Sequence, residues 1–561
     1  MKDLGEAFEQ LSSRVDALEQ RVARLENSPA EESLQAPTAA SIAAAARQPA
    51  ATPQISDTFA VFGKALLGIA GAYVLRALAD GTSIARPLIA AAGIVYALAW
   101  LLAAARVSAK KLAPAFYAAT SALILVPMLW EMCLRFHVLS AGVAAIVLAA
   151  YTAVSAWIGW RTPKSPAFAL SYAGAATAAV MLSIATHAMA AFTLLLLAML
   201  LACEIGRFLS RDAWIRAAVA LATDFAVWTL LFIYRAPAES RSDYPSLRIA
   251  TLIVIGCMPF VISFPGIVVR TLRLRRDLTM LDIVHGMLSF ILVALTFLWI
   301  LPGGGAAVFG VLCAVLAIAC YIATLGPLRG AMSSRNFAVA ALWSAALMVS
   351  AAFLFFSTPG ASVAFCALAI GGVLVGDRLH CRTAELHGVL YLGIAVVLSG
   401  QLAYAWRALV GAMQAPVTWP VLVASLTAIA AYVASDELPS EPWQPQILHF
   451  VPAVLAGFSA AALLAHALVR SFALLAEPAN FHIAFLRTVA VCLIAVTLAF
   501  GAAHWRRLEL KRVAYIALAF VAAKLIFEDL RHGHLEFTAA SIGLVALTVI
   551  AVPRLAQRHP A

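Results

Sequence analysis

The chain has 561 residues, of which 63% are hydrophobic and only 12% charged, and this composition excludes a soluble globular protein, which would cover its surface with charged side chains. Its net charge of +11 does not indicate nucleic-acid binding, since the basic residues lie in short clusters between apolar segments. In such positions they orient helices and contact anionic headgroups, so membrane lipids are the predicted partners and nucleic acid is not.

Apolar residues at heptad spacing mark the N-terminal segment 1–27. They recur at alternating steps of four and three, and they are Leu4, Phe8, Leu11, Val15, Leu18, Val22 and Leu25. Leucine at the d positions with Val15 and Val22 at a favours two parallel strands, so the pattern predicts a cytoplasmic coiled coil that forms a parallel homodimer. The alternative is an amphipathic helix on the protein's own cytoplasmic face. Residues 28–57 hold four prolines among small and polar residues, which predicts a flexible linker.

Residues 58–553 are a succession of apolar stretches of helical length. The predicted fold class is all-α, a polytopic transmembrane helix bundle of about 18 spans, with 16–18 compatible with the sequence. Strands of a barrel are excluded because the stretches are too long and lack alternating polarity. The candidates are 59–79, 84–105, 112–134, 137–160, 167–186, 189–205, 213–234, 247–269, 280–301, 306–325, 337–356, 361–375, 386–405, 417–434, 447–468, 481–503, 513–527 and 537–552.

Basic residues are concentrated in alternate loops between these stretches. The expected location is the inner (plasma) membrane, and the positive-inside bias predicts that both termini are cytoplasmic. Residues 554–561 form the predicted cytoplasmic tail. The fourteenth loop disagrees, because it carries Asp436, Glu437 and Glu441, although acidic residues contribute little to the bias. The loops that support the assignment include those with Arg207 and Arg211, with Arg270, Arg273, Arg275 and Arg276, and with Arg506, Arg507, Lys511 and Arg512.

Two stretches resemble a known family. The stretch at 62–81 reads FGKALLGIAGAYVLRALADG, and the stretch at 506–530 reads RRLELKRVAYIALAFVAAKLIFEDL. They resemble the opening helix and the closing pattern, respectively, of the domain of unknown function 2339 family of bacterial multi-pass membrane proteins. The N-terminal heptad helix and the linker fit the same family. The resemblance implies the fold and the membrane location, and it implies no particular chemistry.

Ionisable groups at lipid depth are the main functional candidates, because each costs a few kcal/mol to insert and needs a partner or a function. Asp224 lies midway along 213–234 with no cation nearby in the same stretch. Its expected partner is Lys524, or Lys64 in the first span. The functional hypothesis is a proton or cation relay, and the alternative is a buried structural pair or a neutral, hydrogen-bonded acid.

A second polar group lies near the end of 513–527. Lys524 and Glu528 are four residues apart and are expected to share a helix face, with Asp529 on a different side. His532 and His534 follow, but H-x-H with scattered acids is a weak metal signature, so a solvated polar turn is favoured and no metal or cofactor is predicted.

Secondary candidates lie at other helix boundaries. Arg76 with Asp80, and Glu131 with Arg135, have the i, i+4 spacing that favours an ordinary ion pair within one helix, although the two pairs together would suit an anionic headgroup. Asp282 and His285 lie one turn apart, a spacing that suits proton transfer or a simple pair at the helix boundary.

The span number favours a transporter-like bundle that moves a proton or a small solute through a polar cavity. One alternative is a non-catalytic scaffold that recruits or dimerises through its coiled coil. Another is an enzyme that modifies envelope lipid or glycan with Glu528 and Asp529, which is less favoured because no known catalytic motif occurs.

Overall fold

The computed structural model describes residues 55–81, 85–107, 113–161, 166–208, 215–301, 303–326, 330, 332–410, 416–435, 445–530 and 534–557. These residues form helices and connecting turns with no strand, which confirms the all-α class. The predicted coiled coil at 1–27 and almost all of the linker lie outside the described residues.

Nineteen α-helices follow one another in the described parts of the chain. Short π-helical turns continue three of them: Val269–Arg273 after α8, Thr296–Ile300 after α9 and Leu525–Asp529 after α18. The helices are α1 Ile55–Gly81, α2 Arg86–Arg106, α3 Ala113–Leu134, α4 Ala141–Arg161, α5 Pro166–Ala185, α6 Met189–Phe208, α7 Arg216–Arg235, α8 Ile249–Val268, α9 Met280–Leu295, α10 Gly305–Leu325, α11 Ser334–Phe355, α12 Thr358–Arg378, α13 Arg382–Leu398, α14 Gln401–Val410, α15 Trp419–Ala434, α16 Pro445–Ala473, α17 Asn480–His504, α18 Leu508–Lys524 and α19 Leu535–Gln557.

The helices have the length and polarity of membrane spans. Fifteen in the described residues are long and apolar enough to cross a bilayer, or 16 if the bent pair α13 and α14 counts as one span. Each of the 18 predicted stretches contains a helix, but α15 has only 16 residues and α18 carries four charged side chains. Large apolar side chains such as Leu67 and Leu342 point outward and are more than 70% exposed, as lipid-facing residues are. The chain is therefore a multi-pass membrane protein.

Two of the predicted boundaries differ from the helices. The first helix begins at Ile55, three residues before the predicted membrane domain. The last helix continues to Gln557, four residues into the predicted tail.

Small residues allow the helices to approach closely, most clearly between α12 and α13. A Cβ at Gly372 of α12 would lie 2.7 Å from the Cα of Gly388 on α13, and one at Gly376 would lie 2.9 Å from the backbone nitrogen of Glu385. The G-x-x-x-G spacing in α12 therefore lets two backbones touch.

Replacing Gly372 by alanine is expected to destabilise the protein by about 1–3 kcal/mol, the usual cost of overpacking a tight interface. Gly371 is the matched control, because a Cβ there would meet nothing within 4 Å. Thermal unfolding of both purified variants in one detergent measures the difference. Equal melting temperatures for the two variants would contradict the close approach of α12 and α13.

Breaks in the helices place polar groups inside the bundle. The chain bends by 62° between α13 and α14, where Gly400 has a φ of +74°, a conformation that glycine adopts without strain. Two of the π-helical turns carry charged side chains: Arg270 lies in the turn after α8, and Glu528 and Asp529 lie in the turn after α18. Such turns are frequent at functional sites because they shift side chains out of the regular helical register.

Candidate functional site

Charged side chains from four consecutive spans meet at one end of the bundle. We call this group the arginine network. It is formed by Glu204 and Arg207 in the last turn of α6, Arg216 at the start of α7, Arg270 in the turn after α8 and Asp282 in the first turn of α9. The ends of α6 and α8 and the starts of α7 and α9 lie at the same end because consecutive spans run in opposite directions. Under the predicted sidedness this end is cytoplasmic.

Asp282 is the centre of the arginine network. Arg207 donates two parallel hydrogen bonds to its carboxylate, Nη1 to Oδ1 at 2.6 Å and Nη2 to Oδ2 at 2.7 Å. Arg216 Nη2 lies 3.1 Å from Oδ1 and Arg270 Nη1 lies 3.2 Å from Oδ2, so three guanidinium groups surround one carboxylate. The Asp282 side chain has no solvent exposure.

The start of α9 explains why a carboxylate occupies this position. Thr279 is the N-cap residue, and its hydroxyl accepts a hydrogen bond from the backbone nitrogen of Asp282. Asp282 in turn accepts hydrogen bonds from the backbone nitrogen of Thr279 at 3.0 Å and from its hydroxyl at 2.8 Å. This capping box holds Asp282 in one orientation, and the positive end of the α9 dipole favours its charge.

Glu204 is the second carboxylate of the arginine network. It accepts a hydrogen bond of 2.5 Å from Arg216 Nε and lies 3.8 Å from Arg207 Nη1. Three guanidinium groups thus face two carboxylates among the described residues. The Nη1 atom of Arg270 is buried and makes no hydrogen bond within the described residues, although it is within ion-pair distance of Asp282.

Asp224 and His285 form a buried pair deeper in the bundle. His285 Nδ1 lies 2.8 Å from Asp224 Oδ2, and His285 Nε2 lies 2.8 Å from the hydroxyl of Ser263 on α8. His285 is 0% exposed. Asp224 is eight residues after Arg216, which places it about 12 Å further along the helix axis. Its Oδ1 atom is buried and has no hydrogen-bond partner in the described parts of the chain.

The partner of Asp224 is therefore His285 and neither of the lysines expected from sequence. Lys524 is buried in another part of the bundle, and Lys64 is exposed on α1, a helix that packs mainly against α2 and α3. His285 and Asp282 were expected to interact with each other. They lie one turn apart on α9, but they contact different residues: Asp282 contacts arginines, and His285 contacts Asp224 and Ser263.

Lys524 belongs to a second buried group, the lysine network. Lys524 Nζ donates to Asp529 Oδ1 at 2.7 Å, to the hydroxyl of Thr488 at 2.9 Å and to the carbonyl of Ala484 at 3.0 Å. It also lies 3.3 Å from Glu528 Oε2. Lys524 therefore has a complete set of partners on α17 and α18.

Glu528 and Asp529 lie in the π-helical turn Leu525–Asp529, and their geometry differs from the sequence prediction. Asp529 was expected on a different side from Lys524, but the wider turn brings residues five apart onto the same side. Arg487 Nη1 donates to Glu528 Oε1 at 3.1 Å, so two cations face two carboxylates. Because Glu528 and Asp529 are held by Lys524, Arg487 and Thr488, this arrangement does not favour their use on a lipid-linked substrate.

The charges of α1 and α3 pair between the helices. Arg76 lies 2.8 Å from Glu131 and Arg135 lies 3.3 Å from Asp80, whereas the i, i+4 spacing predicted pairs within each helix. The prediction was wrong because α1 and α3 pack side by side, which a single helix pattern does not reveal. These side chains are partly exposed, so each pair contributes about 0–1 kcal/mol.

Of the two histidines after α18, the structure describes only His534. Among the described residues, no cluster of three or more His, Cys, Asp or Glu side chains suits a metal ion. The ring of His534 packs 5.6 Å from that of Phe481. His532 lies outside the described residues.

Five charged functional candidates were missed in the sequence. Glu204, Arg216 and Arg487 were recognisable as charges inside apolar stretches. Arg207 and Arg270 were interpreted only as loop residues that orient the spans. Their burial depends on which helices are neighbours. Ser263 carries no signal, because serine is common in packed membrane helices.

The fold and these networks define a multi-pass membrane protein with ionisable groups enclosed in its helix bundle. Comparison with protein-family models, with curated proteins and with solved structures finds no match to the chain. Functional inference therefore rests on the chemistry of the buried groups.

Proposed function

We propose that the protein moves protons, alone or together with a small solute, across its membrane, and that the Asp224–His285 pair binds the transported proton. The observation that carries the proposal is His285, fully buried between Asp224 and Ser263 about two turns inside the bundle. Intramembrane ionisable groups are costly, and histidine changes its charge close to neutral pH.

The geometry supports a simple exchange of one proton. In the unloaded state, neutral His285 donates from Nδ1 to the Asp224 carboxylate and accepts at Nε2 from the hydroxyl of Ser263. When a proton binds at Nε2, the bond to Ser263 reverses and the hydroxyl becomes the acceptor. The pair then changes its net charge from −1 to zero while both short contacts are kept.

The arginine network lies close to this pair. Three guanidinium groups surround the Asp282 carboxylate. Positive charge therefore lies near the unloaded Asp224–His285 pair, which carries one negative charge. One turn of α9 separates His285 from Asp282, so the proton site adjoins the end of the bundle that is predicted to face the cytoplasm.

Replacing Asp224 by asparagine is expected to reduce proton flux to the level of protein-free vesicles, because the amide leaves Nδ1 of His285 without an anionic acceptor. The measurement uses proteoliposomes that contain a pH-sensitive dye, with flux driven by a potassium diffusion potential, with and without a mixture of small polar solutes outside. Asp243→Asn, an exposed acid in the connection between α7 and α8, is the matched control and should behave as the unmodified protein. Unchanged flux in Asp224→Asn, or no flux in the unmodified protein under either condition, contradicts the proposal.

Other features remain predictions from the sequence. We propose the cytoplasmic termini from the distribution of basic residues, and the parallel homodimer from the heptads in 1–27. The relation to the domain of unknown function 2339 family, and with it the inner-membrane location, is proposed from the stretches at 62–81 and 506–530.

A further inference from the structure

A cavity of about 320 Å³ lies between α8, α9, α10 and α11. Most of its lining is apolar, including Phe260, Phe264, Ala319 and Trp343. Asp224 and His285 do not line it, whereas Asp282 of the arginine network does. Its volume is in the range of small-molecule sites, but its walls suit a hydrocarbon chain better than a polar solute.

A basic segment of four arginines borders this cavity. Thr271 and Leu272, which separate Arg270 from Arg273 in the chain, both line the cavity. The exposed members of the segment form no ion pair within the described residues, and they are Arg273, Arg275 and Arg276. The one acid of the segment, Asp277, accepts a hydrogen bond from Ser333.

The arginine segment is held in a defined conformation. Asn336 on α11 is 2% exposed and lines the cavity. Its amide nitrogen donates to the carbonyl of Arg276 at 2.9 Å, and its amide oxygen accepts from the backbone nitrogen of Leu278 at 2.9 Å. A further backbone bond joins the nitrogen of Arg276 to the carbonyl of Arg270 at 3.0 Å. The backbone that carries the arginines is thereby held next to the apolar cavity.

We infer that the cavity and the arginine segment together bind one anionic phospholipid. One acyl chain occupies the space between α8 and α11, and the phosphate group contacts Arg273, Arg275 and Arg276. The inference rests on two adjacent features, a positively charged segment that suits a phosphate group and an apolar cavity that suits an acyl chain. A free phosphate would contact only the arginines, and a neutral lipid would occupy only the cavity. Basic pockets between spans are a known way of holding anionic headgroups.

The test compares the binding of dioleoyl phosphatidylglycerol, dioleoyl phosphatidylcholine, short-chain dihexanoyl phosphatidylglycerol and inorganic phosphate to the detergent-purified full chain, by native mass spectrometry and thermal unfolding. Dioleoyl phosphatidylglycerol is expected to bind most tightly and to raise the melting temperature most. Equal binding of the phosphatidylcholine, of the short-chain lipid or of phosphate would overturn the inference.

Two variants test the contacts of the headgroup and of the acyl chain separately. The triple substitution Arg273→Gln, Arg275→Gln and Arg276→Gln is expected to weaken phosphatidylglycerol binding by about 100-fold, at about 1 kcal/mol for each basic residue. Ala319→Phe fills the cavity and is expected to weaken binding while the arginines stay in place. The controls are the triple Arg106→Gln, Arg378→Gln and Arg506→Gln, exposed charges elsewhere, and Val315→Phe on the lipid-facing side of α10.

Outcomes of the variants are decisive in either direction. Weaker binding in both variants, with both controls unchanged, supports the site. Normal binding in Ala319→Phe indicates surface attraction alone and overturns it, as does normal binding in the arginine triple variant. If Ala319→Phe fails to fold, the comparison of long and short acyl chains on the unmodified protein tests the cavity in its place.

Discussion

Replacing Asp282 by asparagine is expected to lower the free energy of unfolding by about 3–5 kcal/mol, because it leaves buried guanidinium groups without their central counter-ion. Arg207 and Arg216 are each 6% exposed and Arg270 is 11% exposed, so water compensates little for the lost carboxylate. Glu204 would then be the only carboxylate facing three arginines in this network.

The experiment measures unfolding and the yield of monodisperse protein in detergent. Asp277→Asn is the matched control, since Asp277 is exposed and lies in the neighbouring turn. The asparagine amide oxygen can still accept the hydrogen bond from Ser333. Adding Arg270→Gln to Asp282→Asn removes part of the excess charge and should recover part of the lost stability. A single Asp282→Asn variant as stable as the control would show that the network does not depend on its central carboxylate.

A comparable loss, about 3–5 kcal/mol, is expected when Lys524 is replaced by methionine, because Asp529 then becomes a buried charge without its cation. Lys524 is 3% exposed and Asp529 is 2% exposed. The double variant Lys524→Met, Asp529→Asn should recover more than about 1 kcal/mol, since residues in direct contact couple strongly.

A second double variant distinguishes the two possible partners of Lys524. Lys524→Met combined with Asp224→Asn should show the sum of the two single effects to within about 0.5 kcal/mol, because Asp224 and Lys524 share no contact. Rescue of Lys524→Met by Asp224→Asn, without rescue by Asp529→Asn, would restore the pairing expected from sequence and contradict the structure. Unfolding titrations of all five variants under one condition provide the comparison.

Local patterns predict the secondary structure well in this chain. Every apolar stretch chosen from sequence contains a helix, because a backbone in hydrocarbon must satisfy its hydrogen bonds within the segment. The bend at Gly400 was not predicted, since a glycine inside an apolar stretch is equally compatible with a straight, closely packed helix. The π-helical turns were also missed, and they decide where Arg270 and Asp529 lie.

The buried charged networks were predicted less completely than the helices. Asp224, Asp282, His285, Lys524, Glu528 and Asp529 were selected because charges are expensive at lipid depth, and the structure buries five of these six side chains and places Glu528 at intermediate exposure. Their partners were mostly assigned wrongly. Spacing along one helix identifies residues that share a face, but it contains no information about which other helix covers that face.

The sequence by itself determined that this protein is a multi-pass helical membrane protein, because hydropathy and segment length depend only on neighbouring residues in the chain. Only the tertiary structure decided that Asp224 meets His285, that Asp282 gathers three arginines and that Lys524 meets Asp529. The contact between Lys524 and Asp529 depends on the π-helical turn after α18. The other contacts join separate helices, whose packing depends on many small side chains of similar chemistry. Because alanine and glycine allow close approach on almost every face, the pairing of helices emerges only when all of them are packed together.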